Sequence, residues 1–188
     1  MPRSNGHPLF FWRETEAEGG FLSPWYPSQF SENGHTYESV GHFVMASKAR
    51  LFNDEGTLKK ILAATDANKH RTLGSKVKGF DEEVWKSQSY LFAVQANRLK
   101  FTQGTAKSDL CDRLLKTGNR ELIDASPHDR IWGIGIKASE AKKKDASRYQ
   151  WGENQFGKAL METRTSIRSQ ADPASKFDTP GNGLSIEW

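Results

Sequence analysis

Val40-Gly41-His42-Phe43-Val44-Met45-Ala46-Ser47-Lys48-Ala49-Arg50-Leu51-Phe52 decides how this chain is read, because its apolar residues recur at helical spacing around a lysine. Stepping from Lys48 by turns of a helix reaches Gly41, Val44, Met45, Leu51 and Phe52, so hydrocarbon rather than acidic partners frames the ammonium. The residues alone leave two readings open. Desolvation lowers a lysine pKa and exposes a nucleophilic amine, the chemistry of Schiff-base enzymes. Alternatively, the long stem simply carries its charge out to solvent.

Working outward, Phe10-Phe11-Trp12 reads as a short strand, and Asn33-Gly34 as a tight hairpin turn between Gln29–Glu32 and His35–Tyr37. A small antiparallel sheet near the start follows. Beyond the Val40 helix the pattern is mostly helical. Asn53 or Asp54 caps a short helix through Leu58, Ile61 and Leu62, and Asp66 caps another towards Leu73. Asp81 opens a long helix with Val84, Leu91, Val94 and Phe101 near one stripe, an inner face interrupted by Ser87 and Arg98. Leu110, Leu114 and Leu115 continue the core to a stop at Gly118. Leu122-Ile123 and Ile131–Ile136 read as extended, joined by a polar turn, and Glu153–Arg168 closes as a helix with Phe156, Leu160, Thr163 and Ile167 in register. The fold class expected is α+β: one helix-dominated domain over residues 1–168, with a flexible Pro-, Ser- and Gly-containing tail over 169–188.

The 188 residues suffice for one well-filled domain, and no apolar run approaches a bilayer span. The first residues lack the apolar core of a secretory signal, so a cytoplasmic or nuclear location is expected. Cys111, the single cysteine, excludes an internal disulfide and is expected to be a small buried hydrophobe. The net charge of +4 permits weak attraction to phosphate without establishing nucleic-acid binding. Phosphate-loop, dinucleotide and two-histidine zinc motifs are missing, and the five histidines are scattered, so neither a metal nor a cofactor is expected. A monomer is the expectation for oligomeric state.

Six tryptophans stand in this chain, and Trp25, Trp85, Trp132 and Trp151 lie beside glycine, proline or charge, where a ring either stacks on a ligand or packs at a core rim. Asp129, before Arg130-Ile131-Trp132-Gly133, is placed either to act as acid or base or to cap its own turn.

An ordered series of segments runs through the chain: Phe21-Leu22-Ser23-Pro24-Trp25; Tyr37–Phe43 with Ala46-Ser47-Lys48-Ala49; Leu73-Gly74; Trp85; Lys100-Phe101; Leu114–Gly118; Asp129–Gly135; and Trp151–Met161. Together these resemble the NADAR family, also called YbiA-like, from about Phe10 to Arg168, and an ordered set is far more specific than any member. The resemblance implies a YbiA-like fold and N-glycosidase chemistry on ribosyl compounds. Two substrate classes come with it: ADP-ribose attached to guanine in DNA or RNA, and phosphorylated intermediates of riboflavin synthesis.

In that picture Lys48 is the amine that holds the opened ribose as a Schiff base. Asp129 positions or polarises the ribose. Phe21, Ser23, Trp25, His42, Trp85, Arg130, Trp132, Gly133 and Asn154 line the ligand site. The resemblance also places a glutamate where this chain has Gly41, seven residues and ~10.5 Å of helix before Lys48. Glycine cannot transfer a proton, so the resemblance implies an impaired enzyme, a chain that uses another acid such as Glu38 or Asp129, or a non-catalytic ADP-ribose-binding module.

Overall fold

The computed structural model describes residues 6–104, 107–143 and 148–171. Asn33 and Gly34 both take positive φ, 51° and 75°, and turn β2 (Phe30–Glu32) back on β3 (His35–Tyr37) in antiparallel register. Ser39 then caps α1 (Val40–Leu51), its side chain accepting from His42 N at 3.2 Å. The next three helices begin in the same way. Asp54, Asp66 and Asp81 each accept the backbone N–H three residues on, opening α2 (Glu55–Ala63), α3 (Ala67–Gly74) and α4 (Glu82–Gln103). α5 (Lys107–Lys116) stops before Gly118, whose φ is 60°. A one-turn α6 (Ala138–Ala141) and the long α7 (Gln155–Ala171) complete the helices.

The expected first strand is present as β1 (Leu9–Phe11), but its partner lies far along the chain. β1 runs parallel to β4 (Leu122–Asp124), with Leu9 opposite Leu122 and Phe11 opposite Asp124. The small antiparallel sheet is therefore the β2–β3 hairpin, and a parallel pair stands beside it. Parallel strands require a long crossover, here supplied by the hairpin and α1 to α5. The core joins both sheets to α1, α4 and α7, with Phe11, Tyr37, Phe101 and Leu160 almost fully enclosed.

Three local readings differ from the structure. Ile131–Ile136 forms bends instead of a strand. Its carbonyls serve another purpose: Arg130, Ile131, Trp132, Gly133 and Ile134 accept from Glu153, Gln155, Phe156, Asn154 and Gly152, satisfying N–H groups at the start of α7. On α4, Val84 and Leu91 are exposed, as are Ser87 and Arg98. The buried face carries Ser89, Ala93, Ala96, Asn97 and Lys100 beside Leu99 and Phe101, because small side chains let α1 and α7 approach closely. Cys111 is half-buried rather than fully enclosed. Most of the tail expected from residue 169 onward, 172–188, lies outside the described residues. Among those described, no helix is long and apolar enough to cross a membrane.

Candidate active site

A cavity of about 830 Å³ opens where β1 and β4 end, within the range that holds small-molecule ligands. Parallel strands leave their binding crevice at their carboxyl ends, and the lining follows that rule. Trp12, Arg13, Glu14 and Thr15 come directly after β1; Asp124 ends β4, and Ser126, His128 and Asp129 follow it. Gly41, Val44 and Met45 of α1 form one wall, with Pro24 and Trp25 over them, while Ala93, Phe156, Trp132 and Arg71 come from α4, α7 and their loops and from α3.

Trp25 explains the glycine in α1. Gly41 N donates to Pro24 O at 2.7 Å, which seats the Pro24-Trp25 loop on the first turn of the helix. A Cβ at position 41 would overlap the six-membered ring of Trp25. The Arg71 guanidinium lies 4.1 Å from the centroid of the same ring, and Arg13 lies 4.4 Å over Trp12. Two arginines are thus held on tryptophan faces at the cavity, an arrangement that orients guanidinium groups for phosphate.

Asp124 is the most constrained carboxyl in the lining, only 5% exposed. Its backbone N–H donates to Asn154 Oδ1 at 2.9 Å and its carbonyl accepts from Ile134 N at 2.8 Å. Its Oδ1 accepts from Ser126 N at 2.9 Å. Burial, opposed by the hydrogen bonds from Ser126 and reinforced by the charges of Asp129 and Glu16, pushes its carboxyl up to about 7. Asp129 also uses one oxygen on the backbone: Oδ1 accepts from Ile131 N at 3.0 Å and Trp132 N at 2.7 Å, fixing the turn.

Lys48 stands one turn along α1 from Val44 and Met45, beyond the lining residues but on the same helix face. Its Nζ sits 4.0 Å from the Phe80 ring centroid and 5.5 Å from that of Trp85, with no hydrogen bond or ion pair among the described residues. Burial holds the ammonium below the ordinary lysine range. The hydrocarbon frame expected from the spacing is therefore augmented by two rings from outside the helix.

The structure brings Gly41, Asp129, Trp25 and Trp132 into the cavity and sets the other expected site residues around it. Phe21 is buried beneath the Arg113 guanidinium, and Ser23 is fully buried with its Oγ accepting from Trp25 N. Lys100, also fully buried, donates to Phe21 O at 2.7 Å and Ser23 O at 3.1 Å, so it tethers the loop that delivers Trp25. His42 stays behind the wall, 1% exposed and stacked on His70 at 3.8 Å. Trp85 packs beside Lys48, and Arg130 donates to Gln150 O away from the lining. A Cβ on Gly133 would overlap Ser126 Oγ, so that glycine lets the segment after β4 fold back on itself. Asn154 braces β4, and Glu38 accepts from Gln29 at the surface.

Sequence reasoning missed Asp124, Arg13 and the stacking of Arg71 on Trp25. For Asp124 one signal was present, a carboxylate closing the apolar run Leu122-Ile123 just before a turn. Among the described residues, no group of three or more His, Cys, Asp or Glu side chains is placed to hold a metal.

This architecture is that of a known solved structure: the chain matches the Escherichia coli protein YbiA with a TM-score of 0.69 and 20% identity, over 95% of this chain and 92% of that one. The chain belongs to the NADAR domain family, whose model matches residues 10–168. An N-glycosidase of Acanthamoeba polyphaga mimivirus is 37% identical over 163 residues, 83% of this chain and 94% of that protein. A riboflavin biosynthesis protein of Vibrio vulnificus is 29% identical over 168 residues, which span 87% of this chain and 40% of that longer protein.

Proposed function

We propose that this chain is an N-glycosidase that releases ADP-ribose from guanine bases of DNA or RNA, with Lys48 as the amine that takes the sugar. The observation that carries the reading is the single cavity that joins Arg13 and Arg71 on tryptophan faces to the carboxyls Asp124 and Asp129. Two cationic centres suit a diphosphate, rings suit a base, and carboxyls suit ribose hydroxyls and proton transfer. Membership of a family with relatives named N-glycosidases supports the bond that is cut.

The chemistry balances with one water. Neutral Lys48 Nζ attacks the anomeric carbon while that carbon's bond to the guanine nitrogen breaks; the departing nitrogen gains a proton and the amine loses one. The bond from that carbon to the ring oxygen then opens, the oxygen takes a proton, and an iminium to Nζ remains. Water adds to the same carbon and expels the amine, returning Lys48 and free ADP-ribose. A lowered lysine pKa raises the fraction of neutral amine available for the first step.

The Vibrio relative's name favours a second reading, cleavage of a phosphoribosyl intermediate of riboflavin synthesis. Release of ADP-ribose from a guanine-ADP-ribosylated oligonucleotide, followed by mass spectrometry, tests the first. Thermal shifts with ADP-ribose and ribose 5-phosphate at equal concentration separate the two, because a bound ligand stabilises the folded state by mass action and the tighter one does so more. A shift with ribose 5-phosphate as large as that with ADP-ribose would favour the second reading. A large ADP-ribose shift with no product would leave a binding module.

A further inference from the structure

The reaction proposed above requires a proton for the departing base, and the first turn of α1 offers only Gly41 at the cavity, with His42 buried behind the wall on His70. Gly41 N donates to Pro24 O, and the Trp25 ring fills the space that any side chain at 41 would enter. Among the carboxyls that line the cavity, Asp129 commits one oxygen to the N–H groups of Ile131 and Trp132, and Glu14 is carried on the segment after β1. Asp124 likewise has its Oδ1 held by a backbone N–H, that of Ser126, and differs from both in being almost fully buried where the parallel strands end. It sits at the end of β4, paired with Phe11 of β1, and its backbone N–H and carbonyl, both on the edge away from β1, are held by Asn154 and Ile134.

We infer that Asp124 is the catalytic acid of this chain, donating its carboxyl proton to the guanine nitrogen as the glycosidic bond breaks. The inference rests on the N-glycosidase reading and adds the residue that completes it. A buried carboxyl facing other acids stays protonated to higher pH than an exposed one, which is how paired carboxyls in one site come to hold different roles. The charges acting on Asp124 are negative, Asp129 after β4 and Glu16 after β1. Arg13, Glu14, Arg71 and His128 share the cavity. After donation, the carboxylate takes a proton back from the water that releases the sugar from Lys48, so the acid is regenerated without a further group.

The combination of this acid with a lysine that must be neutral gives the pH profile a distinctive shape. Below pH 7 the carboxyl is protonated and the rate climbs as the lysine loses its proton. Near pH 7 the carboxyl begins to lose its own proton, so the climb levels off; beyond the lysine pKa the rate falls. The test is single-turnover release of ADP-ribose from the guanine-ADP-ribosylated oligonucleotide across pH 5 to 10, for the unaltered protein, Asp124→Asn, Asp124→Glu and Asp129→Asn, with direct NMR titration of the Asp124 carboxyl. Asp124→Asn should slow release by on the order of 10²- to 10⁴-fold and climb through pH 7 without levelling. Asp124→Glu should restore a bend and part of the rate, and Asp129→Asn should lose rate while keeping the bend. A bend that survives in Asp124→Asn, or a carboxyl that titrates in the ordinary range near 4, would overturn the inference. If no version releases product, the N-glycosidase reading falls and the role of Asp124 as its acid falls with it; release from Asp124→Asn as fast as from the unaltered protein overturns this inference alone.

Discussion

Asn154 grips β4 on both sides of Ile123: its Oδ1 accepts from Asp124 N at 2.9 Å and its Nδ2 donates to Leu122 O at 2.9 Å. A side-chain amide thereby completes the strand edge that β1 leaves open, from a residue whose φ of 53° asparagine tolerates better than most. Asn154→Ala leaves a buried N–H and a buried carbonyl without partners, so chemical denaturation should show a loss of about 2–4 kcal/mol. Asn154→Asp keeps the acceptor and loses the donor. It should cost less than alanine, unless the new charge beside Asp124 dominates, which would appear as a larger loss at high pH than at low.

Gly41 and Trp25 are coupled by the overlap that a side chain at 41 would create. Gly41→Glu should cost about 1–3 kcal/mol and swing Trp25 away from Arg71, read as a change in tryptophan fluorescence. In a Trp25→Ala background the same substitution should cost at least about 0.5 kcal/mol less, the size of coupling expected between residues in contact. Equal costs in both backgrounds would show that Trp25 does not occupy that space in solution.

Lys48 makes no hydrogen bond or ion pair among the described residues, so its removal should leave the fold almost unchanged. Lys48→Ala is expected to melt within a few degrees of the unaltered protein while losing turnover. Borohydride added during turnover should trap a sugar adduct on the unaltered protein, located at residue 48 by peptide mass spectrometry. Trapping at another lysine would remove Lys48 from the mechanism.

His42 couples stability to acid. Burial first, then the neighbouring His70 and Arg50 charges, pull its pKa down to about 4 from 6.5. Between those values the unfolded chain binds a proton that the folded chain refuses, so stability falls as pH drops from 6.5 towards 4 and is unaffected by this group above 6.5. The loss should be on the order of 2 kcal/mol at pH 4.5. His42→Gln should flatten that part of the stability–pH curve; an unchanged slope would mean that another group titrates there.

Local chemistry made much of the scaffold legible. Asn33-Gly34 needs positive φ, and Asp54, Asp66 and Asp81 cap through their own side chains, so neighbouring residues contain the reason for each element. The inner face of α4 is not legible in the sequence, because Val84 and Leu91 advertise burial by type, whereas contact with α1 and α7 selects Ser89, Ala93 and Asn97 for their size. Ile131–Ile136 reads as a strand by composition, yet its carbonyls are claimed by the start of α7.

The sequence by itself determined the hairpin, the capped helices, the family and the lysine in an apolar helix face, since each is written within a turn or two of chain or in an ordered series of segments. Tertiary structure alone decided that β1 and β4 pair in parallel, that Trp25 lies on Gly41, and that Asp124 is buried between negative neighbours. Those features arise from residues far apart in sequence meeting at fixed distances. The ionisation of a carboxyl follows its surroundings, and only the folded chain supplies them.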